Sequence, residues 1–210
     1  MKTYYKERAP VYNRVYKYPE RQADLRFLEK YIPEQFAGLD VLEIAAGTGY
    51  WTQFISTKAN SILSTDITKA TLDELRNRTL PANVSICEAD AYNLEHLPSN
   101  FTSAFAGLWF SHVPIQRREE FFTELHKKLA PGSTVVLLDN SLAQCERLPI
   151  SHSDEYGNTY QKRILDNGVS YEVVKNFPTK QELLELTLDK TSDQEFKELE
   201  NYWLFQYKVT

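Results

Sequence analysis

The residues with the clearest chemical potential lie in one stretch, Val41-Leu42-Glu43-Ile44-Ala45-Ala46-Gly47-Thr48-Gly49-Tyr50-Trp51-Thr52. Gly47 and Gly49 carry no Cβ and accept positive φ, so a ligand can approach the backbone between them. The segment from Trp51 to Lys58 is amphipathic and predicts a helix. The N–H groups that open such a helix have no partners within it and favour an anionic group. Glu43 stands in an otherwise apolar run, where a carboxylate is costly to bury without a donor. A dinucleotide site would require G-x-G-x-x-G with the pyrophosphate on the helix. Here the spacing is Ala45-x-Gly47-x-Gly49, and the position three after Gly49 is Thr52, which departs from that pattern.

Two further residues suit a nucleoside ligand and proton transfer. Asp66 closes the run Ser61–Asp66, about twenty residues after the loop begins, where a nucleotide-binding fold places the acid that accepts from ribose hydroxyls. His112 follows the run Phe101 to Phe110 and is the ionisable side chain placed to act as a general base. The alternative for His112 is that it satisfies a backbone group or caps the helix opening near Pro114. For Glu43 and Asp66 the alternative is an ordinary strand-end or cap carboxylate.

These positions require a particular scaffold. Val41–Ile44, Ser61–Asp66, Asn83–Glu88, Phe101–Phe110 and Thr134–Asp139 read as short buried strands. Between them lie helical patterns, including Ile115 to Leu129 with Phe121, Phe122, Leu125 and Leu129 facing inward. This βαβ rhythm predicts an α/β fold with a parallel sheet covered on both faces. Before it, residues 3–17 space Tyr5, Ala9, Tyr12 and Tyr16 as a short helix broken at Pro10, and Pro19 opens a second helix with Leu25, Leu28, Ile32 and Phe36 as its stripe. After it, residues 141–160 lack a clear period and are expected to be irregular, and functional or mobile. Asp166-Asn167-Gly168 predicts a hairpin turn between Tyr160–Leu165 and Ser170–Val174. Thr179 with Glu182 predicts a capping box, and two antiparallel strands, Asp193–Leu199 and Tyr202–Val209, end the chain.

Composition narrows the class. The 210 residues are 42% hydrophobic and 25% charged, enough for one well-buried domain. A net charge of −5 argues against a nucleic-acid partner, for which a basic face is expected. Cys87 and Cys145 make no disulfide framework, and no Cys or His cluster has metal-ligand spacing. No apolar run approaches the roughly 18 residues of a membrane span, and the N-terminus lacks an apolar leader. A cytoplasmic protein without a membrane or metal partner, monomeric or homodimeric, is the expectation.

With these residues in view, the chain resembles a class I S-adenosylmethionine (SAM)-dependent methyltransferase. In style it is similar to bacterial small-molecule enzymes of the ubiquinone/menaquinone type. The motifs that carry the resemblance are EIAAGTG, Asp66, Glu88-Ala89-Asp90-Ala91 and Leu129-Ala130-Pro131-Gly132, in family order over roughly residues 40–140. Ala45 replaces the first glycine of E/D-x-G-x-G-x-G, which implies tighter packing over the loop. The resemblance implies a Rossmann-like doubly wound sheet of five parallel strands plus a C-terminal antiparallel hairpin, seven strands in the order 3-2-1-4-5-7-6. It implies a single domain, with 1–36 as an N-terminal helical lid, 37–140 as the SAM-binding core, and 141–210 as the substrate-side segment and hairpin.

It further implies that Glu43, Ala45, Gly47 and Gly49 hold the methionine part of SAM. Asp66 binds the ribose hydroxyls, Ile67 joins the cofactor set, and Asp90 and Ala91 flank the adenine. Residues Trp109 to His112 line the face where the methyl group leaves, with His112 as the catalytic base, and Tyr12, then Tyr5, contacts SAM or substrate from the lid. Trp109 and the tyrosines offer aromatic faces to a sulfonium cation. The expected reaction moves the SAM methyl to a small-molecule acceptor, leaving S-adenosylhomocysteine (SAH). The rivals are a SAM-binding module without catalysis, a methyltransferase acting on RNA or protein, and, at the level of fold, a dinucleotide oxidoreductase.

Overall fold

Apart from Glu43, Val41–Ile44 is apolar, and in the structure both of its sides are covered. The structure is a computed structural model describing residues 2–210. In chain order the strands are β1 (Asp40–Ile44), β2 (Ser61–Asp66), β3 (Val84–Glu88), β4 (Phe101–Gly107) and β5 (Leu129–Asn140). They continue as β6 (Ile150–Ser153), β7 (Thr159–Ile164), β8 (Ser170–Val174), β9 (Thr191–Glu198) and β10 (Tyr202–Val209). The helices are α1 (Lys2–Arg8), α2 (Gln22–Glu34), α3 (Thr52–Ile55), α4 (Lys69–Arg76), α5 (Arg118–His126) and α6 (Lys180–Thr187).

The main sheet has seven strands in the order β3-β2-β1-β4-β5-β10-β9. β1 to β5 pair in parallel, and β10 runs antiparallel to both β5 and β9. Successive side chains of a strand point to opposite faces. Leu42 and Ile44 therefore join a core with Phe110, Phe121, Phe122 and Leu125, while Val41 joins Leu25, Leu28, Ile32, Trp51 and Ile55 on the other face. The strand order reverses between β1 and β4, and the loops leaving β1, β2 and β4 meet at the carboxyl edge of the sheet, the usual ligand crevice of such folds.

Three features differ from the sequence reading. The sheet ends with the expected antiparallel hairpin, but three strands intervene and form a second sheet, β6-β7-β8, so the hairpin strands are ninth and tenth in the chain. Residues 141–160, expected to be irregular, contain a 3₁₀ turn at Leu142–Glu146 and strand β6. All four β6 residues are exposed, so no alternation of apolar and polar side chains marked it as a strand. β5 begins at Leu129 rather than Thr134, because Phe101 pairs with Leu129 before the register shifts.

Of the expected lid, residue 1 lies outside the described residues. The remainder forms α1, a 3₁₀ stretch Ala9–Lys17 and α2. Pro10 falls at the start of the 3₁₀ stretch, where its missing N–H costs no helical bond. The stretch is docked on the glycine loop: Thr48 Oγ1 donates to Asn13 Oδ1 at 2.7 Å, and the Tyr16 and Tyr50 rings stack 3.4 Å apart. Among the described residues no helix is long and apolar enough to cross a membrane.

Candidate active site

A cavity of about 280 Å³ opens at this carboxyl edge, close to the lower bound of about 300 Å³ typical of small-ligand sites. Its wall includes Tyr5, Tyr12, Ala45, Gly47, Asp66, Ile67, Asp90, Ala91, Trp109 and His112. The structure thus brings together nine of the sequence-derived positions and Tyr5. Glu43 and Gly49 do not line the cavity.

The reason lies in the loop itself. Gly47 has φ +58°, and a Cβ there would meet nothing of the protein nearer than the Ala45 carbonyl oxygen at 4.0 Å. Glycine keeps that stretch of cavity wall clear. Gly49, at φ +74°, faces inward, and a Cβ on it would collide with Leu75 of α4. Its role is to seat the loop on α4. Ala45 takes φ +53°, a region that costs a residue with a Cβ roughly 1–2 kcal/mol. The missing first glycine is expressed as backbone strain at the cavity rather than as tighter packing.

Glu43 is 1% exposed and lies beneath the loop. Its Oε2 accepts from Thr52 Oγ1 at 2.6 Å and Ser64 Oγ at 2.7 Å, which ties β1 to α3 and β2. Burial pushes its carboxyl up to about 7, against those two donors, and the nearby Asp66 adds to the rise.

Asp66 stands at the cavity edge. Oδ2 accepts from the Gly47 N–H at 3.0 Å and Oδ1 from the Thr68 N–H at 2.7 Å. Burial raises its pKa and the two backbone donors oppose the rise. Each oxygen keeps a lone pair for a hydroxyl donor. Asp90 turns the chain after β3 by accepting from the Tyr92 N–H at 3.0 Å, and so places Ala91 and Tyr92 on the wall.

At the opposite end, His112 sits on the 3₁₀ turn Phe110–His112 and is 6% exposed. Its Nδ1 lies 2.6 Å from the Val174 carbonyl oxygen of β8, and its Nε2 lies 2.8 Å from the Tyr5 hydroxyl. A carbonyl only accepts, so Nδ1 carries the proton and Nε2 is a bare acceptor. Burial, and then the Lys175 charge, lower the imidazole pKa to about 3, so the ring is neutral at physiological pH. Of the two sequence readings of His112, the backbone one is observed: Nδ1 satisfies the Val174 carbonyl, while Nε2 meets the Tyr5 hydroxyl at the cavity wall.

The loop bearing His112 is held from behind. Asp139, at the end of β5, accepts from the Ser111 N–H at 2.8 Å and pairs with Lys175 Nζ at 2.9 Å. Lys175 also donates to Ser111 Oγ at 2.6 Å and Asn140 Oδ1 at 3.0 Å. Lys175 is 1% exposed and Asp139 fully buried. Burial is the largest influence and works against the Asp139 charge, but Lys175, His112 and the Ser111 N–H together outweigh it and hold the carboxylate below its usual range.

Several wall residues escaped the sequence reading. Arg117 lies 3.5 Å over the centre of the Tyr92 ring, and both line the cavity. Its neighbour Arg118 is 3% exposed and packs over Phe110. The spacing of Tyr92 two residues after Asp90 was the available signal. Asp139 also had one, since it ends its strand as Asp66 does. Lys175 had none, because its partners lie 35 or more residues away.

Comparison with known proteins places this geometry. Residues 41–132 match the sequence family described as a methyltransferase domain. The biotin biosynthesis bifunctional protein BioHC of Cellvibrio japonicus is 30% identical over 105 residues, a match covering 49% of this chain and 20% of that protein's length. Among solved structures, the DhpI–SAH complex superposes with a TM-score of 0.80 at 25% identity, covering 99% of this chain and 94% of DhpI. The DhpI–SAM–HEP complex gives 0.80 at 26% identity, with 98% and 94% covered. The PH0226 protein of Pyrococcus horikoshii shares the fold at TM-score 0.74 and 16% identity, with 92% and 93% covered.

Proposed function

We propose, from the class I SAM-dependent methyltransferase domain that this chain carries, that the protein transfers the methyl group of SAM to a small-molecule acceptor, with His112 as the proton acceptor. The observation that carries this reading is the composition of a single cavity wall. Open glycine backbone at Gly47 and the carboxylate of Asp66 stand at one end, and the neutral acceptor nitrogen of His112 stands at the other.

The residues fit the cofactor. Asp66 offers lone pairs to ribose hydroxyls, Gly47 clears room for the amino-acid end, and Ile67, Asp90 and Ala91 bound the space for the base. Trp109 and Tyr12 present aromatic faces where a cation is favoured. When bound, SAM supplies a methyl carbon activated by its sulfonium. The protein's part is to align, exclude water and take up a proton. Tyr5 and Tyr12 close the cavity from the lid, and as the bond to carbon forms the proton of an acceptor hydroxyl or amine reaches His112 Nε2 through the Tyr5 hydroxyl that already donates to it. The division into a lid (1–36), a SAM-binding core (37–140) and a substrate-side segment (141–210) belongs to this proposal.

The test is direct. SAH is expected to raise the melting temperature of the protein and to bind by calorimetry, and labelled SAM is expected to transfer its methyl to members of a small-molecule library. NADH is the control ligand: a response to NADH without one to SAH overturns the assignment. SAH binding with no transfer to small molecules, RNA or protein would favour a non-catalytic SAM-binding module.

A further inference from the structure

We propose that the methyl acceptor carries an anionic head, a carboxylate or phosphate-type group, and that Arg163 receives it beside the Tyr5–His112 pair. This rests on the methyltransferase reading above and names the acceptor class of the same site.

Arg163 lies on β7 and faces the interior, at 8% exposure. Its Nη2 donates to Gln161 Oε1 at 2.7 Å, while its Nε is buried and has no partner. Among the described residues no carboxylate pairs with it. The buried carboxylate on this side of the molecule, Asp139, is committed to Lys175 and to the Ser111 and Asn140 N–H groups. Arg163 is therefore a buried cation left without an anion, an arrangement that is costly unless something compensates it. A guanidinium with a free donor edge matches the planar fork of a carboxylate or the oxygens of a phosphate.

Its position ties it to the site. Across the second sheet Arg163 pairs with Tyr171, whose ring lies 5.7 Å from Tyr4. The Tyr4 and Tyr5 rings are 5.0 Å apart, and Tyr5 reaches His112. A second guanidinium, Arg8 of α1, lies 5.5 and 5.6 Å over the Tyr4 and Tyr12 rings, also with no carboxylate among its partners. Two cations thus flank the tyrosines that close the cavity. Burial dominates the titration of Tyr5, Tyr12 and His112, yet the Arg163 charge acts on all three, favouring phenolate and disfavouring imidazolium. An anion admitted as the lid lifts would meet a field already positive.

The test uses the SAH-loaded full chain with inorganic phosphate as the probe, against chloride at matched ionic strength. SAH binding to the wild type is measured first. If SAH does not bind, the cofactor reading fails, independently of any anion. With SAH bound, phosphate is expected to raise the melting temperature saturably beyond chloride. In Arg163→Met the phosphate midpoint is expected to weaken at least about tenfold, the worth of one charge-assisted hydrogen bond. Arg163→Lys is expected to retain most of the response, and SAH affinity is expected to be unchanged in both. Equal effects of phosphate and chloride on the wild type overturn the proposal even if the Met variant does not fold. An undiminished phosphate response in Arg163→Met overturns it as well.

Discussion

The Tyr5 hydroxyl donates to His112 Nε2 at 2.8 Å, although 107 residues separate them in the chain. The contact brings the lid onto the nitrogen proposed to take the proton. Burial holds the Tyr5 phenol well above its usual pKa, so it stays a donor. The imidazole, lowered to about 3, stays an acceptor. His112→Gln is expected to lower turnover by roughly 10²–10⁴-fold, the usual worth of a general base, with SAH affinity little changed. Tyr5→Phe should cost less, and the double variant should fall short of the sum because the two share one contact. Turnover should show no inflection near pH 6.5; an inflection there would remove His112 from this role.

Asp66 joins the glycine loop to the start of α4 while keeping lone pairs for the ligand. Asp66→Ala removes the two backbone bonds and the proposed ribose contacts together. Hydrogen bonds to charged groups contribute about 1.5–3 kcal/mol each, so SAH affinity should fall roughly tenfold to a hundredfold or more. Calorimetric titration with SAH measures this. Wild-type affinity in the variant would mean that the ligand lies elsewhere.

Glu43 gives a stability signature of its own. Its folded pKa, raised to about 7 from 4.5, means that the folded state holds the proton more tightly than the unfolded chain does. The stabilisation is fully present below pH 4.5 and is lost as pH rises through 7. Glu43→Gln keeps acceptors for Thr52 and Ser64 but has no proton to lose. Relative to wild type, the variant should gain on the order of 3 kcal/mol between pH 4 and pH 8, read from urea unfolding at each pH. Parallel pH profiles for the two proteins would contradict this.

Glu43 also marks where the sequence was legible and where it was not. Its place beside the glycine loop was readable, because an acid in an apolar strand is a local anomaly. Its function was not, because that depends on whether the loop turns the carboxylate inward, which Ser64 and Thr52 decide from other elements. The same division runs through the site. The loop glycines and Asp66 follow from short-range spacing, and Asp90 from the family resemblance. The strands of the main sheet follow from apolar runs, since burial on both faces leaves a local mark. β6 left none, because it is polar and exposed. Arg117 and Arg118 read alike in sequence, yet one covers Tyr92 and the other packs over Phe110. Neither partnership can be inferred without the path of the chain.

Lys175 and Asp139 supply the remaining prediction. Removing one partner of a buried ion pair leaves an uncompensated charge and typically costs about 3–5 kcal/mol, whereas replacing both with apolar residues is often close to neutral. Lys175→Met alone should therefore lower the melting temperature markedly, and Lys175→Met with Asp139→Leu should recover much of the loss. The functional consequence separates from the structural one. Ser111 and Val113 bracket His112, and both are held from this side: Asp139 accepts from the Ser111 N–H at 2.8 Å, and Asn176 Nδ2 donates to the Val113 carbonyl at 3.1 Å. Lys175 is, after burial, the main influence keeping the imidazole pKa low. In Lys175→Met, with Asp139 retained, His112 should titrate at higher pH, and the acid limb of turnover should move upward with it. If the acid limb stays in place while stability falls, Lys175 serves folding alone, and the neutrality of His112 has another cause.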